Sequence, residues 1–548
     1  MAARNRRFRT IAPPFTVAPP DGARIRDRLR LSTADENVLT LVGQHLGSHA
    51  RQDLVDRIRI GDVPVKQNQR ARRKRKLTSV ASSRWAGAIT RTSEDQFQLA
   101  MRCLRDERAS LRRAVNAIRR RLKVACGERR GRMRGYADRS ERWQKQRRLA
   151  LLESRLTEVE SRIDHGRPAI VVGGRRLVKV RHSLDDEGLN EERWRERWDA
   201  ARLFLTADGE SGASCGNYTI TITAGGEVAI VLPESLRHLA NSPRGRYCLS
   251  CRVTFHNRRE EWLDRVEANR AVRYDITRDP VRGRWYVDAS WSTDKAELPA
   301  PAELIDAGAS LLGVDLNADH LAVCVVDSYG NPVGQPYTID VDLTGSTTTR
   351  DGRLRHAVTA LIRLARQHGC GIAVENLNFA NARSSGRETL GRGRRAKRFR
   401  RTVCTLPTGR FRERLRGMAF HAGLVVIAVD PAYTSRWGAQ HWKPPLKEQA
   451  TTGTVTRHHA AAVAIARRAC GYGLRRRPGV IAHHRSDGER RATGQAAIRA
   501  KGVWTVGPPR TTGSLIRGCE TRARRGEELT FPTSTTVRGV TGHPSGST

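Results

Sequence analysis

Apolar residues recur at alternating three- and four-residue intervals in two stretches of the first third of the chain. The first stretch follows Ser93 and Gln96, a candidate capping box, and extends to about 122, whereas the second covers 149–163. Between them lies a segment rich in Gly and Arg, CGERRGRMRGYADRS. The pattern predicts an antiparallel helical hairpin whose apolar stripes pack together and whose outer faces carry Arg.

The hydrophobic period becomes strand-like from about residue 170. Turn residues separate five candidate strand segments, which are AIVVGGRRLVKV, NYTITITAGGEVAIVL, GRYCLSCRVTFHN, AVRYDITRD and GRWYVDASWS. These segments predict an antiparallel barrel or curled sheet. Cys248 and Cys251 lie three positions apart on one strand and therefore point to opposite faces, which argues against a zinc site there.

A third pattern begins after the linker AELPAPAEL. Its elements are strand LLGVDLN (311–317), strand HLAVCVVD (320–327), strand PVGQPYTID (332–340), a helix at about 353–368, strand GIAVENL (371–377), a helix at about 408–422, strand LVVIAVD (424–430) and a helix from near His458. Three strands followed by αβαβα is the ribonuclease H-like arrangement. Residues 471–548 are dominated by Arg, Gly, Thr, Pro and Ser, a composition typical of a disordered tail.

The fold class predicted from these patterns is a multidomain protein of α+β and α/β type. We expect five regions: an N-terminal segment contributing to the β-barrel domain (1–40), a helical domain containing the hairpin (41–169), the β-barrel domain (170–305), a ribonuclease H-like domain (306–470) and a disordered basic tail (471–548). Within the first of these, Ser32 precedes the apolar run VLTLVGQHL and is a candidate helix cap.

The net charge of the chain indicates what kind of partner it binds. The 548 residues include 100 Lys and Arg against 56 Asp and Glu, a formal net charge of +44. Such an excess favours a polyanionic partner, and nucleic acid is the usual one. No stretch approaches the roughly 18 consecutive apolar residues of a membrane span, the basic N-terminus lacks the apolar core of a signal peptide, and the scattered cysteines fit a reducing compartment. We therefore expect a cytoplasmic, nucleoid-associated protein with no membrane partner.

Two basic segments are the candidate nucleic-acid contacts. The run KQNQRARRKRKLT occupies 66–78, and the insertion SSGRETLGRGRRAKRFRR occupies 384–401. A solvated loop is the alternative for each, but the density of cations and, in the insertion, an aromatic side chain able to stack on a base favour binding. The candidate contact residues are Arg72, Arg73, Lys74, Arg75, Lys76, Arg394, Arg395, Lys397, Arg398, Phe399, Arg400 and Arg401.

Two carboxylates fall where buried strands would otherwise have apolar residues. Asp315 lies in the first strand of the third pattern, and Glu375 ends the apolar run GIAV of the fourth. These strands are neighbours in a ribonuclease H-like sheet, so the two side chains are expected to converge at one sheet edge. Their oxygens suit Mg²⁺ or Mn²⁺, and two such metals would support hydrolysis of a phosphodiester. The alternative interpretation, which either residue alone would favour, is that Asp315 satisfies a turn and Glu375 is a solvated strand end.

The motifs of this region resemble those of the TnpB family, the insertion-sequence-encoded RNA-guided endonucleases related to type V CRISPR effectors. The resemblance rests on LLGVDLNADHLAVCVVDSYGNPVG, IAVENLNF and DPAYTSRWG followed by RHHAAAVAIARR, and more loosely on the earlier RKRKLT, SSRWAGAIT and GRWYVDASW. It implies a RuvC-type nuclease domain, recognition and wedge roles for the helical and β-barrel regions, a transposable-element origin, a guide RNA and a target DNA.

The sequence departs from the family pattern at two places. The four-Cys zinc ribbon is missing, because 435–458 contains no Cys, so no structural zinc is expected. The position that usually carries the third nuclease Asp is His458 here. A neutral His near a helix N-terminus is able to bind a metal, which makes His458 the candidate third ligand beside Asp315 and Glu375. The alternative is that His458 and His459 only begin a helix.

The sequence predicts an RNA-guided DNA-binding protein whose metal-dependent endonuclease site consists of Asp315, Glu375 and His458. Two alternatives stay open: a guided binder with an impaired nuclease, and an unguided basic nucleic-acid-binding accessory protein of transposition. Loss of a carboxylate at the third position favours slower catalysis, a preference for Mn²⁺, or no catalysis. Asp430 and Glu448 are nearby carboxylates, but their spacing does not bring either to the metals.

Overall fold

The computed structural model describes residues 10–62, 66–131, 133–294, 297–376, 408–451 and 454–474. These residues form two compact units. The first unit contains 22–293, and the second unit contains 10–21 together with 294–474. The basic insertion 384–401 and almost all of the predicted tail lie outside the described residues.

The secondary structure combines long helices with short and medium strands. The helices are α1 (Thr33–Ile60), α2 (Lys66–Thr78), α3 (Ser83–Leu122), α4 (Arg139–Asp164), α5 (Arg175–Val180), α6 (Glu191–Ala200), α7 (Arg259–Glu267), α8 (Pro301–Asp306), α9 (Thr347–Gln367), α10 (Thr408–His421), α11 (Thr434–His441), α12 (Lys443–Gln449) and α13 (Arg457–Ala469). The strands are β1 (Phe15–Thr16), β2 (Gly22–Leu29), β3 (Arg129–Arg130), β4 (Met133–Arg134), β5 (Thr206–Ala207), β6 (Ile220–Ile222), β7 (Glu227–Val231), β8 (Arg246–Arg252), β9 (Arg273–Asp279), β10 (Arg284–Ser292), β11 (Leu311–Leu316), β12 (His320–Val326), β13 (Pro332–Asp340), β14 (Gly371–Glu375) and β15 (Val426–Val429).

The helical hairpin predicted in the first unit is present as α3 and α4. Their apolar stripes form one cluster that includes Phe97, Met101 and Val159. The predicted capping box at Ser93 is wrong, because α3 begins ten residues earlier, after Ser82, and Ser93 is buried inside the helix. Ser32 does cap α1, in a reciprocal capping box with Asp35.

Two antiparallel sheets complete the first unit. One has the strand order β2-β10-β9-β5 and the other β6-β7-β8, and both contribute to one apolar core. Four of the five predicted strand segments are strands. The remaining segment, AIVVGGRRLVKV, contains the short helix α5 instead. Gly173 and Gly174 interrupt the apolar run with positive φ, and Val180 packs in a small cluster with Trp194. The described strands form two sheets and do not close into the predicted barrel.

The second unit is a layered α/β structure around a sheet of order β1-β15-β14-β11-β12-β13. β11, β12 and β13 pair antiparallel in sequence, whereas β14 and β15 extend the sheet parallel to β11 on its other side. Strands β11 to β15 therefore have the ribonuclease H-like order predicted from the sequence. α9 and α10 cover one face of this sheet, and α12 and α13 cover the other.

Helix α13 lies very close to the centre of the sheet. A Cβ atom placed on Gly313 of β11 would be 2.1 Å from the carbonyl oxygen of Ala462, so only glycine permits this approach. The small residues of α13, AAAVAIA, allow it to pack flat across β11 and its neighbours. This crossing brings the N-terminus of α13 over the ends of the strands that carry the candidate carboxylates. Within the described residues, no helix combines the length and the apolar character that crossing a membrane requires.

Candidate active site

Parallel pairing of β11 with β14 sets Asp315 beside Glu375. Val314 pairs with Val374 in the register of the two strands, and the carboxylates are the next residue along each. Val314 and Val374 belong to the core cluster on the side of α9 and α10. Because side chains alternate along a strand, Asp315 and Glu375 point to the opposite face, the one that α13 covers. The predicted convergence of these two residues is thus confirmed by the register.

Asp315 is buried and Glu375 is half-buried, and the two carboxylates influence each other. Asp315 is only 5% exposed. Burial, followed by the negative charge of Asp315, raises the pKa of the Glu375 carboxyl to about 7. The Thr434 hydroxyl and the charge of Arg468 act in the opposite direction, whereas Asp430 adds to the increase. Near neutral pH, Glu375 is therefore divided between its neutral and ionised forms.

His458 lies at the start of α13 and binds Asp315. Thr456 caps the helix, and its hydroxyl accepts the backbone N–H of His458. The His458 Nδ1 is 2.9 Å from Asp315 Oδ2, and the Nε2 is 3.3 Å from the Nε of Arg457. Since an arginine can only donate, Nε2 is the acceptor, and the hydrogen on Nδ1 is donated to Asp315. His458 therefore orients the carboxylate through a hydrogen bond.

The second histidine of the pair has a different environment. His459 is buried, its Nδ1 accepts the backbone N–H of Thr456, and its Nε2 lies 2.9 Å from the Thr338 hydroxyl on β13. Burial lowers its pKa, with the neighbouring His320 as the next cause. His459 is thus a neutral packing residue. The expectation that both histidines merely begin a helix holds for His459 but not for His458.

Four further polar residues belong to the site, and sequence reasoning did not assign them. Asn317 donates to Asp315 Oδ2 at 3.1 Å and also lies 3.4 Å from His320 Nε2. His320 in turn binds Asp319 at 2.7 Å, and its ring packs edge-on against His458. These three residues follow Asp315 within five positions, so their polarity beside a buried Asp was an available signal. Thr434 donates to Glu375 Oε1 but lies 59 residues from it in the sequence, so no local pattern indicated this contact.

The two other carboxylates considered in the sequence differ in position. Asp430 follows β15, and its charge is near enough to raise the pKa of Glu375. Its carboxylate oxygens accept the backbone N–H groups of Ala12 and Ala432. Glu448 is exposed on α12. Asp430, but not Glu448, is thus part of the electrostatic environment of the site.

The donor chemistry of the site fits a divalent cation. Asp315 and Glu375 supply carboxylate oxygens, which Mg²⁺ and Mn²⁺ prefer. Burial and then the charge of Asp315 raise the pKa of Glu375, and a bound cation would oppose the repulsion between the two carboxylates. Over the described part of the chain, no group of three or more His, Cys, Asp or Glu side chains is arranged to hold a metal ion. The residues present offer a pair of carboxylates, with His458 bound to one of them.

The predicted basic contacts are only partly surface residues. Arg73 is a correction: it is buried in α2, where it pairs with Asp53 at 2.5 Å and with Glu94 at 3.7 Å. An enclosed guanidinium with two carboxylate partners stabilises the helix packing and is not available to a phosphate. Of its neighbours in the run, Arg72, Arg75 and Lys76 are exposed and Lys74 is half-buried. The remaining candidates all lie outside the described residues, and these are Arg394, Arg395, Lys397, Arg398, Phe399, Arg400 and Arg401.

Comparisons with known proteins find similarity among solved structures only. No family model matches the chain, and no curated protein matches it. Among solved structures, T. thermophilus RuvC in complex with a Holliday junction substrate is similar at 19% sequence identity and a TM-score of 0.21, over 29% of this chain and 91% of that one. We draw nothing about function from a likeness of this size.

Proposed function

We propose that the second unit hydrolyses phosphodiester bonds of nucleic acid with the help of a divalent cation. The observation that carries this proposal is the carboxylate pair of buried Asp315 and half-buried Glu375 on adjacent parallel strands of a ribonuclease H-like sheet. Two carboxylates so close together and largely removed from water cost stability and are poorly suited to a purely structural role. The net charge of +44 supports a polyanionic substrate.

The chain's own residues fix the geometry of the reaction. Asp315 and Glu375 would hold the cation, which when bound polarises the phosphate and lowers the pKa of a water molecule. His458 and Asn317 both donate to Asp315 Oδ2, and Thr434 donates to Glu375 Oε1, so neither carboxylate rotates freely. The burial of Asp315 strengthens the charge interactions on that side of the site.

A finer proposal is that the substrate is DNA selected by a bound RNA. Its support is the resemblance of the nuclease motifs to the TnpB family, together with basic segments in both units of the chain. In this account, paired RNA supplies sequence specificity, and Lys and Arg supply salt-dependent affinity that is indifferent to sequence. The expected partners are a guide RNA and a target DNA, and the expected cofactor is Mg²⁺ or Mn²⁺.

A second candidate is a guided binder whose nuclease is impaired. The observation in its favour is the contact between His458 and Asp315: the third position binds a carboxylate instead of contributing another negative charge. Removing one charge from a site that must hold cations against a phosphate weakens cation binding. The two candidates share the binding of nucleic acid and differ only in whether the bond is cut.

The test uses the full chain purified with its copurifying RNA. The RNA is sequenced, a DNA containing the complementary sequence within randomised flanks is prepared, and cleavage is followed with Mg²⁺ and separately with Mn²⁺. We expect cutting of the matched DNA only, and its loss in Asp315→Ala. A matched control is Glu448→Gln, which removes an exposed acid on α12 that lies outside the site and is expected to leave cutting unchanged.

The outcomes separate the candidates. Binding of the matched DNA with no cutting under either metal would favour the impaired binder. Cutting that persists in Asp315→Ala would contradict the site. Binding that is indifferent to sequence, with no discrete copurifying RNA, would contradict guidance while leaving the chemistry to be tested on unpaired DNA.

A further inference from the structure

The tip of the α3–α4 hairpin combines exposed cations with an exposed aromatic ring. We use the term hairpin tip for 123–131 and 133–148, which cover the residues after α3, the small ribbon of β3 and β4, and the first turns of α4. Arg130, Arg134 and Arg139 are exposed there, and within the described residues none of the three pairs with a carboxylate. Their charge is therefore available to a partner.

Arginines of the hairpin shaft behave differently. Several of them pair across the two helices and hold them together, namely Arg112 with Glu160, Arg119 with Glu153, and Arg155 with Glu107. Some arginines of the Arg-rich outer faces that the sequence predicted for the hairpin are thus committed to internal pairs.

The hairpin tip is a folded platform held by its own hydrogen bonds. Arg121 donates to the carbonyl oxygens of Arg134 and Gly135, and its guanidinium stacks on the buried ring of Tyr136. Arg142 donates to the carbonyl of Val124 at 3.2 Å. Arg121 from the end of α3 and Arg142 from the tip therefore fix the tip's backbone, and the exposed arginines are presented on a defined surface.

Trp143 is the aromatic group of this surface. It lies in the second turn of α4 and is 56% exposed, although indole is among the most costly side chains to leave in water. The guanidinium of Arg147 lies over its ring, 4.9 Å from the centroid. A ring with one cation above it, next to further cations, is the combination that binds an unpaired base by stacking and its phosphates by charge.

We propose that the hairpin tip binds single-stranded RNA, with Trp143 stacked on an unpaired base and Arg130, Arg134 and Arg139 on the flanking phosphates. A single strand is required because the bases of a duplex are stacked on each other and offer no free face to a tryptophan. The choice of RNA over DNA rests on the proposed function, in which the chain retains an RNA and meets DNA only during the reaction.

Binding is measured with the full chain, stripped of nucleic acid and kept in EDTA so that cutting plays no part. The probes are a labelled 20-nucleotide RNA without self-complementarity and the same RNA in a duplex, each over a range of salt. We expect Trp143→Ala to weaken binding of the single strand about tenfold and to change binding of the duplex little. Trp143→Phe should retain most of the affinity for the single strand. Arg130→Gln, Arg134→Gln and Arg139→Gln together should reduce the salt slope by about 2.

The control removes the same charge from the shaft. Arg102, Arg108 and Arg113 lie along α3 and, in the part of the chain that the structure describes, have no carboxylate partner. Their combined change to Gln should leave the salt slope for the single strand nearly unchanged. An equal reduction from the shaft and tip variants would overturn the proposal, as would equal losses for single strand and duplex in Trp143→Ala. Matched thermal transitions keep these comparisons free of folding effects.

Ultraviolet crosslinking of the full chain in expressing cells identifies the strand itself. After nuclease digestion, the peptide that carries Trp143 is expected to have gained the mass of a ribonucleotide. A deoxyribonucleotide adduct, or adducts confined to other peptides, would overturn the assignment. Because these measurements need no cleavage, they test the hairpin tip independently of the nuclease. If the protein does not cut DNA but its Trp143 peptide carries the ribonucleotide adduct, the RNA-binding role of the tip stands. If the protein cuts DNA but the adduct is absent, only the RNA-binding role of the tip is overturned.

Discussion

The Thr434 hydroxyl favours the ionised form of Glu375 against burial and the charge of Asp315, and its replacement by Val tests the site. The hydroxyl donates to Glu375 Oε1, and the residue is 1% exposed, so Val preserves the buried volume while removing the donor. A hydrogen bond to a charged group contributes about 1.5–3 kcal/mol, and 1.36 kcal/mol corresponds to one pKa unit. The loss of this bond should therefore raise the pKa of Glu375 above its value of about 7 and move its half-ionisation upward by at least about one pH unit.

The assay measures Mn²⁺ binding to the full chain by electron paramagnetic resonance. The pH is varied between about 5.5 and 9, a range that brackets the Glu375 pKa of about 7. Only the ionised carboxylate binds the cation, so the apparent affinity declines about tenfold per pH unit below the carboxyl's pKa. The curve of Thr434→Val should lie about one pH unit above the parent curve, whereas Thr434→Ser, which keeps a hydroxyl, should follow the parent.

Coincident curves for the parent, Thr434→Val and Thr434→Ser would refute this reasoning. They would show either that Glu375 does not bind the cation or that the hydroxyl does not stabilise its ionised form. Loss of Mn²⁺ binding at all pH values in Thr434→Ser would point to a packing role for the threonine methyl group.

Three further predictions concern stability. Glu375→Gln should raise the melting temperature at pH 8 but not at pH 4. The folded state retains the Glu375 proton up to about pH 7, so wild-type stability falls by roughly 3 kcal/mol as the pH rises from the ordinary Glu pKa to that value. Equal effects of the substitution at both pH values would contradict this prediction. Arg73→Gln should destabilise the first unit by about 3–5 kcal/mol in denaturant unfolding, while the exposed Arg72→Gln should be nearly neutral, and equal effects would argue that Arg73 is on the surface. Gly313→Ala should lower the unfolding temperature of the second unit, since its Cβ would meet the Ala462 carbonyl at 2.1 Å, and an unchanged transition would argue against the close crossing of α13.

The carboxylate pair was predictable because it depends on element order. Asp315 and Glu375 each end or interrupt an apolar run, and the order of three strands followed by αβαβα makes their strands neighbours. The family resemblance placed His458 beside Asp315, and the structure confirms that position, but the hydrogen bond by which His458 donates to this carboxylate was not predictable. It depends on how α13 crosses the sheet, which is determined by the small residues that face Gly313 and leaves no periodic signal in the sequence.

Charge was the least reliable guide to individual residues. A run such as RARRKRK shows that cations are dense, but helical periodicity decides which of them point inward. Arg73 faces Asp53 and Glu94, from helices α1 and α3, and no local pattern reveals partners so distant in sequence. Conversely, the segment containing α5 looked like a strand because Val and Ile dominate it, and packing against Trp194 outweighed that preference.

The central claim is that Asp315 and Glu375 form a phosphodiester-hydrolysing site, and the single-turnover rate of DNA cutting tests it most directly. The full chain with its copurified RNA is mixed with matched DNA and Mn²⁺, and the parent is compared with Asp315→Asn and Glu375→Gln, changes that preserve size while removing charge. The account predicts cutting by the parent and a loss of at least about a hundredfold in each variant. Cutting at the parental rate by either variant would contradict it.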